Sequence, residues 1–452
     1  MDELLELATS VVDRAESGED MEVFVARGSE TEVRAYEGQV ESLTSADSSG
    51  VGIRILRRDG EAGTRMGFAW AGSLDPEVIT AALADARDNA RYATPDPDVV
   101  LASPDGVAAV ELDLWDEGVV TTPMERKVAL AIELEQATRA ADPRVRQVEA
   151  AEYADGRREV ALASTTGIRS VSRRTNAHVA VEAIAGEGAE SQTGGGYSVG
   201  RAPDQLDLDE AKDDAVLRAT RLLGATKTAS GKVTAVFDPR VVASLLSVIG
   251  SALSGEAVVK GRSFFAGRIG EVVAHPSVIL VDDPTDPRAF SASSYDGEGL
   301  ASRRNVLIDH GVLGMFVYDT VAGRRANTAS TGSAVRGGFA GTPSAGCRAL
   351  VLTPGELGPD ELLMAVGDGV YVQSVVGMHS GVNSVSGDFS VGIEGLVIRN
   401  GVLAEPVREV TVASTLQRML QAMVHIGSDL QWLPGMAAGQ TVAIADMSLS
   451  GE

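Results

Sequence analysis

Cysteine is almost missing from this chain of 452 residues, with Cys347 alone. One thiol excludes an intrachain disulfide and a cysteine-built zinc cage. Lysine is scarce too, found only at Lys127, Lys212, Lys227, Lys232 and Lys260, so arginine supplies most of the positive charge. The 39 basic residues face 64 acidic ones, for a formal net charge of −25. Such a balance argues against a nucleic-acid-binding surface. No apolar run approaches the roughly 20 residues that span a bilayer. The opening "MDELLELATSVVDRAE" has no basic leader and no continuous apolar stretch, so it does not read as a signal peptide. A cytoplasmic protein without membrane contact is expected. The five histidines, His178, His275, His310, His379 and His425, are far apart, which excludes a two-histidine zinc motif on one helix or loop. A site assembled from distant residues stays open. No Gly-x-Ser-x-Gly sits on a strand, turn and helix, so no hydrolase serine has a motif behind it.

What is present is globular. Apolar residues make up 44% and charged residues 23%, enough for sizeable cores in two or three domains. Leu4, Leu5, Ala8, Val11, Val12 and Ala15 follow helical spacing. Alternating runs from Met21, Glu30, Gly50 and Gly63 predict an antiparallel meander. Helices are expected from Pro76 to about Tyr92, from Pro123 to about Ala141 and from Leu206 to Leu223. Strands are expected around 145–154, 158–164, 167–174 and 178–186. The segment "GEGAESQTGGGYSVGRAP" reads as a flexible loop. The polar stretch Gly224–Lys232 reads as a boundary, dividing the chain into an N-terminal α/β domain (residues 1–223) and a C-terminal β-rich domain (224–452). Past it come a short strand, an apolar helix from Asp238 to Ala257, and many strands. These include a hairpin turning at Asn400-Gly401, and a helix around Ala413–His425. The class is α+β, with strands in runs rather than strict βαβ alternation.

Candidate chemistry is thin. Cys347 opens the apolar run "CRALVLTP" and reads as a buried, inert thiol. "GGGYSVG" lacks the leading strand, the lysine and the helix of a phosphate loop. Asp282-Asp283 reads as a turn cap. Asp296, Gly297, Glu298 and Gly299 bring carboxylates and pliable backbone together, but supply too few oxygens for a hard cation. The stretch Gly377–Gly395 is rich in glycine, and its strand could pair with an extended peptide. A tight turn before a hairpin explains it equally well.

Several segments in one order carry a resemblance: "FDPRVVASLLSVIGSALSGEAVVKGRSFFAGRIGE", "ILVDDP", "YDGEGLASRRNVLIDHGVLGMFVYDT", "GVNSVSGDFSVGIEGLVIRNGVLAEPVREVTVA" and "HIGSDL". Together they resemble the TldD/PmbA family, over nearly the whole chain. The resemblance implies a two-domain fold, an N-terminal antiparallel or mixed sheet with helices, and a curved, barrel-like antiparallel sheet after it. It also implies a cytosolic two-subunit metalloprotease that cleaves unfolded or modified peptides. One subunit type carries zinc on a His-Glu-x-x-x-His helix, with a cysteine near the C-terminus; the PmbA (TldE) type lacks both. In this chain those helix positions fall at Leu246, Ser247 and Ser251, and the cysteine falls near Pro434. None of these can ligate zinc or act as the general base.

The implied role is a PmbA/TldE-type subunit with no catalytic residue and no bound cofactor. Zinc is expected in a TldD-like partner, in a heterodimer or a higher assembly of dimers, acting on extended peptides. The two glycine motifs supply the expected peptide cleft or subunit interface: Asp296, Gly297, Glu298 and Gly299, with Gly381, Asn383, Gly387, Asp388, Phe389 and Ser390. Whether the chain is itself an enzyme stays open. The alternatives are a peptide-binding homodimeric module and a stand-alone metallopeptidase with an unrecognised metal site.

Overall fold

A computed structural model describes residues 2–451. Met1 and Glu452, the outer ends of the two expected domains, lie outside the described residues. Six strands form one antiparallel sheet: β1 (Glu19–Tyr36), β2 (Gln39–Arg58), β3 (Thr64–Ala71), β4 (Val145–Ser164), β5 (Arg169–Ala185) and β6 (Gln192–Gly200). Their order is β3-β2-β1-β4-β5-β6. The runs expected as separate strands are joined. Gly28 and Ser29 look like a turn in sequence, but β1 is held extended by β2 on one side and β4 on the other. The actual reversal lies at Glu37 and Gly38, both at positive φ (50° and 73°), as a two-residue hairpin requires.

The stretch read as a flexible loop is a correction: half of it, Gln192–Gly200, is β6, paired with β5. Its glycines admit a helix rather than mobility. A Cβ on Gly196 would stand 1.8 Å from the Ala211 carbonyl oxygen, and one on Gly194 would stand 2.2 Å from the Ala219 nitrogen.

Alternation along the strands gives the sheet two buried faces. One packs on the helices α1 (Asp2–Val12), α2 (Pro76–Tyr92), α3 (Met124–Ala141) and α4 (Leu208–Thr220), with Val23, Ile53 and Tyr153 among its core residues. The other carries Phe24, Ala26 and Leu162 against Leu300 and Phe339 from the second half of the chain.

That second half is built on a closed five-stranded barrel: β7 (Gly231–Phe237), β8 (Gly369–Val376), β9 (Asp388–Arg399), β10 (Val402–Thr415) and β11 (Val442–Ser450). Closure runs β7-β8-β9-β10-β11 and back to β7. The β7–β8 pair is parallel and the rest are antiparallel, so the sheet is not wholly antiparallel. The expected hairpin at Asn400-Gly401 joins β9 to β10, with φ of 49° and 78°. The helix expected from Ala413 starts only at Leu416, because Ala413 is still paired in β9 and β11 ladders. After β7 comes α5 (Pro239–Ala252). The helix expected through Ala257 is interrupted rather than continuous: Ser254 turns extended to bridge Val317, and a second short helix takes up Gly255–Val259, where Gly255 is pressed so closely on the Tyr318 ring that a Cβ would lie 2.1 Å away. Among the described residues no helix is long and apolar enough to cross a membrane.

Candidate functional site

β7 delivers the chain to Asp238, whose carboxylate accepts the Arg240 N–H at 3.0 Å and caps α5, with Pro239 in its first turn. The same carboxylate accepts from Arg218 at 2.6 Å and from the Tyr371 hydroxyl at 2.7 Å. These bonds tie the helix start to α4 and to β8. One face of α5 sends Val242, Leu245, Leu246 and Ile249 into the core. Another presents Arg240, Ala243, Ser244 and Ser247 to Leu433–Ala437 across a cavity of about 310 Å³.

The positions singled out in sequence therefore part company. Ser247 and Pro434, 187 residues apart by number, wall the same cavity. Ser251 lies one turn on, beside a cavity of about 450 Å³ that also touches Glu256, Lys260 and Cys347. Leu246 is core, at 2% exposure. The Ser247 hydroxyl donates to the Ala243 carbonyl at 2.9 Å and Ser251 to the Ser247 carbonyl at 3.0 Å, so both are engaged with their own helix. Zinc is held by imidazole, thiolate or carboxylate. A leucine in the core, two helix-bonded hydroxyls and a proline do not fit it. Among the described residues no group of three or more His, Cys, Asp and Glu is placed to hold a metal ion. Cys347 is buried, and its thiol approaches the Gly250 carbonyl at 3.7 Å. Burial, and then Asp282, push its pKa up.

Met436 walls both cavities and a third, of about 410 Å³, between the N-terminal sheet and the second half. Phe24, Leu114, Leu162 and Phe290 make this third cavity apolar, and five arginines reach it: Arg158, Arg173, Arg174, Arg336 and Arg348. Three have partners. Arg336 pairs with Glu22 and lies 4.7 Å over the Phe24 ring. Arg348 donates to the Tyr295 carbonyl at 3.0 Å, the Ser302 hydroxyl at 2.7 Å and the Gly332 carbonyl at 3.0 Å. Arg173 lies 5.0 Å over Trp115. Arg158 and Arg174 stand directly opposite each other in the β4–β5 ladder. Neither makes a hydrogen bond or ion pair among the described residues. Burial lowers the pKa of Arg158, opposed only by the field of Glu30. Burial, then repulsion from Arg158, Arg201 and Arg348, brings Arg174 down to about 10.

The two glycine motifs are not brought together. Asp296 and Gly297 line the third cavity, but Asp296 staples a turn. It accepts the Glu298 N–H at 2.9 Å, the Leu300 N–H at 3.0 Å and the Ala334 N–H at 3.1 Å. Gly299, at φ +79°, sits where a Cβ would be 2.6 Å from Ile168. Glu298 is fully buried and accepts from the Thr320 N–H at 2.9 Å and its hydroxyl at 2.7 Å. Its other oxygen lies 4.0 Å from Arg54, which donates to both Glu22 oxygens at 3.0 and 2.6 Å. Glu22 and Arg54 from the sheet thus meet Glu298 and Arg336 from the second half in one buried ion network. Burial lifts Glu298 to about 7, helped by Asp296 and Asp319 and opposed by Arg54. For Glu22 burial acts the same way, but Arg336 and Arg54 outweigh it and hold the carboxylate at about 2.

Gly381, Asn383, Gly387, Asp388 and Ser390 lie at the entrance to β9, away from the third cavity. Asn383 accepts the Val385 and Ser386 N–H groups at 2.8 and 3.1 Å, which makes a tight turn. Phe389 is in the barrel core. The unpaired arginines went unread in sequence. Their signal was there: "GRREV" and "SRRTN" put Arg-Arg pairs in two neighbouring strands, though their register could not be seen.

Models of three domains match the chain: PmbA/TldA metallopeptidase domain 1 over residues 21–90, the central domain over 120–223 and the C-terminal domain over 230–451. The chain is 26% identical to Metalloprotease PmbA of Escherichia coli O157:H7 over 451 residues, 99% of this chain and 94% of that protein. It is 24% identical to the Metalloprotease PmbA homolog of Haemophilus influenzae, with the same coverage of 99% and 94%. The crystal structure of TldE from Thermococcus kodakarensis shares the fold, with a TM-score of 0.87 over 100% of both chains at 20% identity.

Proposed function

The chain belongs to the PmbA/TldD metallopeptidase family, and from that premise we propose that it is a PmbA/TldE-type subunit, itself non-catalytic, of a cytosolic two-subunit metalloprotease. Its partner is a TldD-like chain that carries the zinc. The complex acts on extended, unfolded or modified peptides. One observation carries the reading: the donor set where α5 faces Leu433–Ala437. A zinc hydrolase needs three protein ligands, an open position for water and a base to take the proton. Here Ser247 and Ser251 spend their hydroxyls on their own helix, Leu246 fills the core and Pro434 offers no donor.

What the chain contributes is shape. Three cavities share Met436, and their linings combine apolar and cationic groups, which suit an extended peptide. In this reading residues 1–223 and 224–452 are two domains, and the third cavity lies at their contact. The test is assembly. Mixed with a relative bearing His-Glu-x-x-x-His, the chain is expected to elute as a complex of defined stoichiometry by native mass spectrometry. If the two chains stay separate at micromolar concentration, the reading fails.

A further inference from the structure

We propose that Arg158 and Arg174 form a carboxylate-binding site in the cavity between the N-terminal sheet and the second half of the chain, and that it grips one carboxylate of an extended peptide. This deepens the role proposed above and rests on it for the word peptide; the binding itself belongs to this chain alone. Like charges directly opposite on adjacent strands destabilise a sheet. Arg158 and Arg174 are such a pair. The chain has 64 acidic residues, yet among the described residues none lies within bonding distance of either. The other cations at this cavity are engaged, Arg336 by Glu22, Arg348 by three oxygens and Arg173 by Trp115.

Two guanidinium groups lining one cavity from adjacent strands supply the donors that a carboxylate accepts in bidentate bonds. Phe24, Leu162 and Phe290 offer apolar surface beside them for the carbon skeleton. A volume of about 410 Å³ holds a terminal residue or two. In a protein of net charge −25, a cationic pocket with low-dielectric walls also concentrates anions where the rest of the surface repels them. The carboxylate can come from a peptide C-terminus or from an Asp or Glu side chain.

The test is isothermal titration of the full chain with three acetylated alanine pentapeptides: the free acid, its C-terminal amide, and that amide with one Glu. Binding of the free acid alone assigns the site to the C-terminus, and binding of the Glu peptide alone assigns it to side chains. Either result supports the site, as does binding of both. Equal binding of the plain amide, or no binding of any peptide at millimolar concentration, overturns it. In R158Q and R174Q, affinity is expected to fall about tenfold each, while the melting temperature stays level or rises because the repulsion is relieved. A melting temperature lowered by several degrees would make the pair structural and overturn the proposal. If the chain binds carboxylates but never assembles with a zinc-bearing relative, this site stands and the subunit role falls.

Discussion

Glu22 and Glu298 sit in one buried network, yet removing their charges should have opposite consequences. Glu22 touches Arg54 and Arg336, and is itself 1% exposed. Its pKa is lowered from 4.5 to about 2, which corresponds to ~3 kcal/mol of stability at neutral pH. The folded value lies below the unfolded one, so this contribution is complete above about pH 4.5 and is lost as the pH falls towards 2. Glu22→Gln leaves two buried guanidinium groups short of a counter-charge, and breaking a buried pair in this way costs about 3–5 kcal/mol. Glu298 runs the other way. Its folded value of about 7 exceeds 4.5, so the folded state keeps a proton that the unfolded chain releases between those values. Its ionisation therefore opposes folding above pH 7, by a comparable ~3 kcal/mol. Glu298→Gln is expected to leave the protein no less stable at pH 8 and to flatten the fall in stability between pH 5 and 8. Urea unfolding followed by circular dichroism at pH 5.5 and 8 measures both. A loss under about 1 kcal/mol in E22Q, or an E298Q as damaged as E22Q at pH 8, would refute the reasoning.

Three further outcomes follow from particular contacts. Gly196→Ala puts a Cβ 1.8 Å from the Ala211 carbonyl oxygen, and should cost about 3 kcal/mol or more by prising α4 off β6; an unchanged melting temperature would contradict the packing. The triple variant L246H/S247E/S251H should bind no stoichiometric zinc and should lose about 2–5 kcal/mol, because its first histidine lands in the core. Metal analysis and unfolding check this, and zinc-dependent peptide cleavage by that variant would show it wrong. Cys347 is buried with its pKa raised, so iodoacetamide at pH 8 should label it only after unfolding; rapid labelling of the folded chain would contradict its burial.

Local pattern was legible where period and punctuation agree. α2 runs from Pro76 to Tyr92 as spacing predicts, and the Asn400-Gly401 hairpin turns where its positive-φ residues place it. What escaped was set by long-range pairing. Whether Gly28 turns or stays extended depends on Arg158, 130 positions away by number. Whether Gly194 and Gly196 flex or pack depends on Ala211, Ala215 and Ala219 of α4. The site divides in the same way. The donor-poor residues Leu246, Ser247, Ser251 and Pro434 are readable as letters, whereas only folding shows that Ser247 and Pro434 share a wall and Leu246 does not. The Arg158–Arg174 pair is invisible without register, since a shift by one residue turns a side chain to the other face. Glu298 reads as a glycine-flanked acid of the expected cleft or interface, and the structure buries it completely.

The central claim, that this chain shapes a proteolytic site without supplying its metal, is tested most directly by purifying it alone, its His-Glu-x-x-x-His-bearing relative alone, and the two co-expressed. Each preparation is analysed for zinc per chain and for chelator-sensitive cleavage of an unfolded peptide. The expected result is a complex holding one zinc for each relative and none for this chain, with cleavage in the complex and none from this chain alone. Stoichiometric zinc together with chelator-sensitive cleavage by this chain alone would contradict it.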